Sequence, residues 1–148
     1  MDCSYLVRVP HIVPTIPPMK KSPYIFYMFD PFSNPCPFIP DTAVCIDEVM
    51  DKKTAMLNCH VSQVYEFLPW MGDYTNEVPP EQKPESRLEW LKTYIRPFQP
   101  TNSGVYLEIL QGRYGNEKAG KIIDSEAFQL SEYGGQAEQD ELEKLFPL

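Results

Sequence analysis

Histidine is scarce in this chain. Only His11 and His60 occur in 148 residues. A zinc centre needs three or four nitrogen, sulfur or carboxylate ligands, and the four cysteines, Cys3, Cys36, Cys45 and Cys59, show no metal-binding spacing and no small disulfide framework. Glycine is also sparse: seven residues with no triplet period exclude collagen. None of them forms a Gly-x-Gly-x-x-Gly fingerprint, a phosphate loop or a nucleophile elbow. No apolar run approaches the ~20 residues of a membrane span. Positive charge is in deficit, with 13 basic against 21 acidic residues and a net charge of −8. That balance disfavours nucleic acid and anionic membrane as partners. Met1 to Pro10 carries one arginine and no apolar stretch of the signal-peptide kind. Reduced thiols in a cytoplasmic setting are the expectation.

Proline is in excess, and its placement organises the chain. Nine of the 16 prolines fall in the first 40 residues, none between Asp41 and Leu68, and none between Thr101 and Phe146. Proline-punctuated loops therefore alternate with uninterrupted blocks. The stretch from Pro10 to Pro18 forbids a helix and reads as extended or polyproline backbone. Its Pro14-Thr-Ile-Pro17, like Pro37-Phe-Ile-Pro40, is formally a ligand for proline-reading domains. The interleaved isoleucine and phenylalanine favour a buried connecting loop instead. Cys3 to Val9 reads as a helix end or short strand stopped by Pro10, so apolar residues follow almost at once from Met1.

The blocks themselves carry periodicity. Tyr24-Ile-Phe-Tyr-Met-Phe29 is a continuous apolar run of the kind buried on both faces in a parallel sheet. Thr42-Ala-Val-Cys-Ile46 is a second short buried strand. Asp47 suits a helix N-cap, and Glu48 and Asp51 favour the dipole of a helix from about Glu48 to Phe67. Val49, Met56, Leu57, Val64 and Phe67 share one stripe of that helix, with Lys53, His60 and Gln63 on or beside it. Cys45 and Cys59 read as small core residues. Ser86-Arg-Leu-Glu89 has the form of a capping box, followed by an apolar face of Leu88, Leu91 and Ile95. Thr101, Asn102 or Ser103 could cap a further helix through Leu110, and the same residues are acceptable as strand. Ile122 to Leu130 is expected to be extended and Glu138 to Phe146 helical. There is no internal repeat. The order of elements points to an α/β domain of one unit. Residues 1–46 hold loops and two strands, 47–70 a long helix, and 71–148 a helical region with one extended segment.

The chemistry open to these residues is limited. His60 beside Cys59 forms no self-contained catalytic set, because adjacent residues diverge on a helix. His60 either faces a site and hydrogen-bonds a ligand, or ties the helix to a neighbouring loop as a core histidine. Gln63, one turn on, shares either role. Trp70, after Pro69, either lines a pocket or staples the helix end.

The segment Asp51-Lys-Lys-Thr-Ala-Met-Leu-Asn-Cys-His-Val-Ser-Gln63 resembles the lysine, histidine-x-serine-glutamine helix of the PIG-L/LmbE family, zinc-dependent de-N-acetylases of N-acetylglucosamine-type amides. Phe38-Ile-Pro-Asp41 and Val44-Cys-Ile-Asp47 resemble the family's approach to that helix. Gly112-Arg-Tyr-Gly115 and Ser125-Glu-Ala-Phe128 resemble its later motifs. Tyr5 to Pro10 and Tyr65 to Trp70 look like a subgroup of long members. The resemblance covers most of the chain but only the C-terminal half of the family's domain. It implies a Rossmann-like fold lacking its N-terminal strands. The family's His-Pro-Asp-Asp and His-x-Asp-His motifs, which supply its zinc ligands and general base, have no counterpart here. No catalytic or metal-binding residue therefore carries over. His60, Gln63 and Trp70 stand as candidates for the substrate side, or for support behind the metal.

The expectation is thus a C-terminal part of such a deacetylase, inactive alone and without zinc of its own. The rival is a non-catalytic binding or assembly module that pairs with a separate chain. A weaker alternative is an unrelated enzyme using Cys59 or His60. Half of an open sheet would expose an edge and an apolar face, so self-association or a complementary N-terminal half is the expected partner.

Overall fold

The computed structural model describes residues 2–96 and 104–147. The chain folds as a mixed α/β unit around a small three-stranded sheet. A short helix, α1 (Asp2–Leu6), precedes strand β1 (Phe26–Met28) and strand β2 (Thr42–Cys45). Helices α2 (Met50–Asn58), α3 (Leu68–Met71), α4 (Pro84–Ile95), α5 (Gly104–Tyr114) and α6 (Asn116–Ala119) follow, then strand β3 (Ser125–Leu130) and helix α7 (Gln139–Leu145). The last strand in sequence lies in the middle: the order is β1-β3-β2, both pairings antiparallel, with Ala43 opposite Ala127 and Tyr27 opposite Gln129.

Alternation along β2 assigns its side chains to two cores. Ala43 and Cys45 join Leu110, Ala119, Ile122 and Ala127 beneath α5 and α6. Val44 and Ile46 join Met50, Val64, Tyr65, Leu91 and Ile95 beneath α2 and α4. Helices therefore cover β2 from both sides, which explains its unbroken apolar sequence. The parallel pairing expected of the aromatic run at 24–29 does not form among the described strands. β3 lies between β1 and β2 and runs antiparallel to both.

The aromatic run at 24–29 departs further from expectation. Only Phe26–Met28 is strand, it lies at the sheet edge, and Met28 is 65% exposed. Its aromatic neighbours are used sideways instead. Phe29 packs edge-on against Phe38 and Tyr106, and Phe26 against Phe146 of the C-terminal segment. Residues 11–19, expected to be a buried connection, form turns and bends that are exposed throughout.

The long helix expected over 48–67 is broken. A 3₁₀ turn at Asp47–Val49 leads into α2, which ends at Asn58. Cys59 and His60 donate their amides to Met56 and Leu57, three residues back, so the last turn tightens. The chain restarts at His60, whose carbonyl accepts the amides of both Gln63 and Val64, and a π-helical turn occupies Gln63–Phe67. The Tyr65 hydroxyl donates to Asn58 Oδ1 at 2.7 Å across the break. After the break Val64 and Tyr65 are buried beside Met50, while Val49, Met56 and Phe67 of the expected stripe are exposed. Cys59 is exposed as well, and Cys45 is half-buried, so only the latter is near a core.

Helix starts also differ from their sequence signals. α4 begins at Pro84, two residues before Ser86, because proline at the first helical position is already preset for the helix. The capping box that forms is at α7, where Glu138 and Glu141 satisfy each other's amides. The tyrosine of β1's approach adds to it: Tyr24 donates its hydroxyl to Glu141 Oε1 at 2.7 Å. That bond and the Glu138 amide hold the Glu141 carboxyl below its ordinary range. A lowered carboxyl contributes stability above the unfolded value of about 4.3 and loses it as pH falls through the folded value. The stability difference between the chain and Tyr24→Phe is therefore expected to be present at neutral pH and to vanish on acidification below about 4. A difference that persists in acid would show that the hydroxyl acts through packing.

The expected helix caps at Thr101, Asn102 and Ser103 lie outside the described residues. The segment they precede is helical from Gly104 onward rather than strand. Ser125, at the start of β3, is 1% exposed and its hydroxyl has no hydrogen-bond partner among the described residues. A buried unsatisfied hydroxyl costs about 1–3 kcal/mol. Ser125→Ala is therefore expected to leave urea stability unchanged or raise it by about 1 kcal/mol. A clear loss would indicate a bound water or partner at this hydroxyl.

Candidate functional site

The motif-like residues divide into two groups according to what their side chains touch. The first group holds the scaffold. Asp47 was expected to cap its own helix, but its carboxylate reaches the turn before β3. It accepts the Asp124 amide at 2.6 Å and the Ile123 amide at 3.2 Å. Asp124 itself, 5% exposed, accepts a two-pronged contact from Arg96 through Nε at 3.1 Å and Nη2 at 3.2 Å. The Tyr114 hydroxyl accepts the Cys45 amide at 3.1 Å, so the helix carrying Arg113 and Tyr114 is fastened to the outer edge of β2. Gly115 follows at φ 79°, a left-handed conformation that suits glycine, and its carbonyl starts α6. Burial raises the Cys45 thiol above its ordinary value. It is therefore a poor nucleophile.

The second group is open to solvent. His60 sits at the break after α2 and is exposed. Neither its imidazole nor the Gln63 side chain makes a hydrogen bond among the described residues. The core-histidine reading of His60 is thereby set aside: its backbone serves the fold, through the two amides its carbonyl accepts, and its ring does not. Trp70 is 74% exposed, and the buried residue that anchors α3 is its neighbour Pro69. The staple role therefore falls to the proline.

These three residues line two adjoining grooves rather than one pocket. The first, of about 330 Å³, has an apolar floor of Ile46, Val49, Met56 and Leu57, with His60 at its rim. The second runs past Ser62, Gln63, Phe67 and Trp70. The π-helical turn Gln63–Phe67 itself forms one wall of the second groove and places Gln63 on it. One ion pair at the groove is absent from the sequence reading. Lys53 from α2 bonds Glu126 of β3 at 2.8 Å, both about 30% exposed (30% and 27%), at the edge of the first groove. The signal was available in the alternation of 125–130, which places Glu126 and Phe128 on one face of β3.

Zinc does not fit the described residues. No group of three or more histidine, cysteine, aspartate or glutamate side chains converges there. His60 has Lys52, Lys53 and Glu126 as its polar companions on the groove, which is one carboxylate against two ammonium groups. The arrangement can hydrogen-bond and present an apolar wall to a ligand or to another polypeptide. No described helix is long and apolar enough to cross a membrane. No protein-family model, no curated protein and no solved structure matches the chain.

Proposed function

We propose that this chain forms the C-terminal part of a PIG-L/LmbE-type de-N-acetylase. It would contribute His60, Gln63 and Trp70 to the substrate side of a cleft whose zinc and general base come from a complementary half. The observation that carries this reading is the partition just described. Within the stretch that resembles the family, Asp47, Tyr114 and Gly115 are consumed by the scaffold, while the His60 and Gln63 side chains are exposed and make no hydrogen bond among the described residues. A Rossmann-like parent sheet belongs to the same proposal, with further strands supplied by that other half.

On this reading the chain alone neither retains stoichiometric zinc nor hydrolyses N-acetylglucosamine derivatives. Adding a polypeptide that carries the His-Pro-Asp-Asp and His-x-Asp-His motifs restores turnover. His60→Ala and Gln63→Ala then each lower kcat/KM by at least about tenfold. Because both positions are exposed, their stability changes stay within about 0.5 kcal/mol. Stoichiometric zinc with turnover by the chain alone overturns the proposal, and so does full activity of both variants.

A second reading, a non-catalytic assembly module, is favoured by the apolar surface of the first 28 residues. Tyr5, Ile12, Ile16 and Met28 are each at least half exposed, at 75%, 52%, 65% and 65%. Mixing the purified chain with the zinc-bearing half discriminates: stable association without turnover supports the module, and association that restores turnover supports the deacetylase.

A further inference from the structure

The sheet has one edge that the described chain closes and one that it leaves open. At β2 the closure comes from α5. Ala43 is 0% exposed, and the outward-facing Cys45 amide goes to the Tyr114 hydroxyl. The open edge is β1. Its orientation follows from the pairing of Tyr27 with Gln129 and from the Ser131 amide, which donates to the Ile25 carbonyl at 2.8 Å. Ile25 and Tyr27 therefore turn their backbone groups toward β3. These groups alternate along an antiparallel strand, so the N–H and C=O groups of Tyr24, Phe26 and Met28 point the other way. None of them makes a hydrogen bond among the described residues. Met28 is 65% exposed and Tyr24 36%, so both ends of this outward row are open to solvent.

Proteins ordinarily blunt such an edge with lysine, proline or an inward charge. The stretch Tyr24-Ile-Phe-Tyr-Met-Phe29 has none of these. It is a template for an added strand, with backbone groups that still require partners.

The edge also fits itself. A two-fold axis beside Phe26 sets two copies of β1 antiparallel, with Phe26 opposite Phe26 and Tyr24 opposite Met28. Every outward residue then meets an outward residue, and each pair exchanges both of its N–H···O=C bonds. The side chains agree with this register. Alternation puts Tyr24, Phe26 and Met28 on one face, where Phe26 already packs edge-on against Phe146 at 5.1 Å and Tyr24 bonds Glu141 of α7. Aromatic and apolar cross-strand pairs favour association, and no like charges oppose each other along this seam.

We propose that the β1 edge pairs with the β1 edge of a second copy of this chain, making one continuous antiparallel sheet across a two-fold axis. The proposal concerns the chain by itself and is decided without the deacetylase reading, since its test uses no zinc-bearing half.

Sedimentation of the full chain over a range of concentrations tests it, alongside amide hydrogen exchange. A reversible monomer–dimer equilibrium is expected, with exchange at Tyr24, Phe26 and Met28 slowing as concentration rises. Met28→Pro removes one outward N–H and leaves the β3 ladder intact, because proline is tolerated where an edge N–H faces solvent. Met28→Lys keeps that N–H and sets a charge in the seam. Each is expected to weaken the dimer by at least about tenfold while still unfolding cooperatively in urea. The lysine variant serves if the proline variant does not fold. Ile12→Lys removes exposed apolar surface outside the edge and is expected to leave the dimer unchanged. A chain that stays monomeric overturns the proposal. So do a dimer that both Met28 variants leave intact and an association that Ile12→Lys abolishes.

Discussion

Leu91→Ala is expected to lower the unfolding free energy by about 3 kcal/mol, the largest effect of any single side chain considered. Leu91 is 0% exposed and lies on α4 within the cluster formed by Ile46, Met50, Val64, Tyr65 and Ile95. Truncation removes buried methyl groups and leaves a void. Its surroundings have little freedom to close in, because they are large and already engaged. Trp90 stacks on Tyr94 at 5.0 Å between ring centroids, Tyr74 and Tyr94 share a hydroxyl–hydroxyl hydrogen bond, and Arg87 lies over the Tyr65 ring at 4.6 Å. The cost therefore combines transfer and cavity terms rather than transfer alone. Leu88→Ala, half-buried one turn earlier, serves as the control and is expected to cost about half as much. Equilibrium urea unfolding measures both. A loss at Leu91 below about 1 kcal/mol would mean that this core is not packed as described.

Asp47→Ala is expected to cost about 2 kcal/mol, and Asp47→Asn about half of that. The aspartate is a charged acceptor for the backbone amides of Ile123 and Asp124, and hydrogen bonds to charged groups are worth more than neutral ones. The two amides respond differently to its removal. Ile123 is exposed, so water can replace its lost bond, whereas Asp124 is buried and its amide is left with poorer access. Asparagine keeps one acceptor oxygen at the position and loses the charge. The Asp124 carboxylate contact with Arg96 lies just beyond, so the start of β3 is expected to loosen and its amides to exchange faster. Amide hydrogen exchange at residues 122–126, read alongside urea unfolding, separates this from a capping role. If Asp47 acted only on the helix it precedes, protection would fall in residues 48–54 instead.

Much of the local structure was legible along the chain because it depends on neighbours in sequence. Proline placement marked where regular elements stop. The apolar face of Leu88, Leu91 and Ile95 follows the sequence pattern, as does the helix near the C-terminus, while of the extension expected over Ile122 to Leu130 only Ser125–Leu130 is strand. The candidate site was legible as a set of residues and not as a place. His60 and Gln63 were identified, but their exposure was not, since helical spacing assigned them to a core-facing stripe. The break after Asn58 and the π-helical turn shifted that phase. Both depend on Tyr65 reaching back to Asn58 and on the large side chains of α4 across from it. Local propensity says nothing of either. Lys53 and Glu126 are 73 residues apart, and their pairing is a product of strand order alone.

The sequence by itself determined where proline interrupts regular structure and that the run 42–46 is apolar enough to be covered on both faces. Those are properties of composition and short-range spacing, and two histidines in 148 residues constrain metal chemistry without reference to any fold. Only the tertiary structure decided that the last strand enters the middle of the sheet, which made both pairings antiparallel and put the aromatic run at an edge. Only it separated motif residues that hold the scaffold from those left facing solvent. The physical reason is the same in each case. A buried polar group must find a partner wherever the fold brings one. Asp47 and Asp124 found theirs 77 and 28 residues away in sequence.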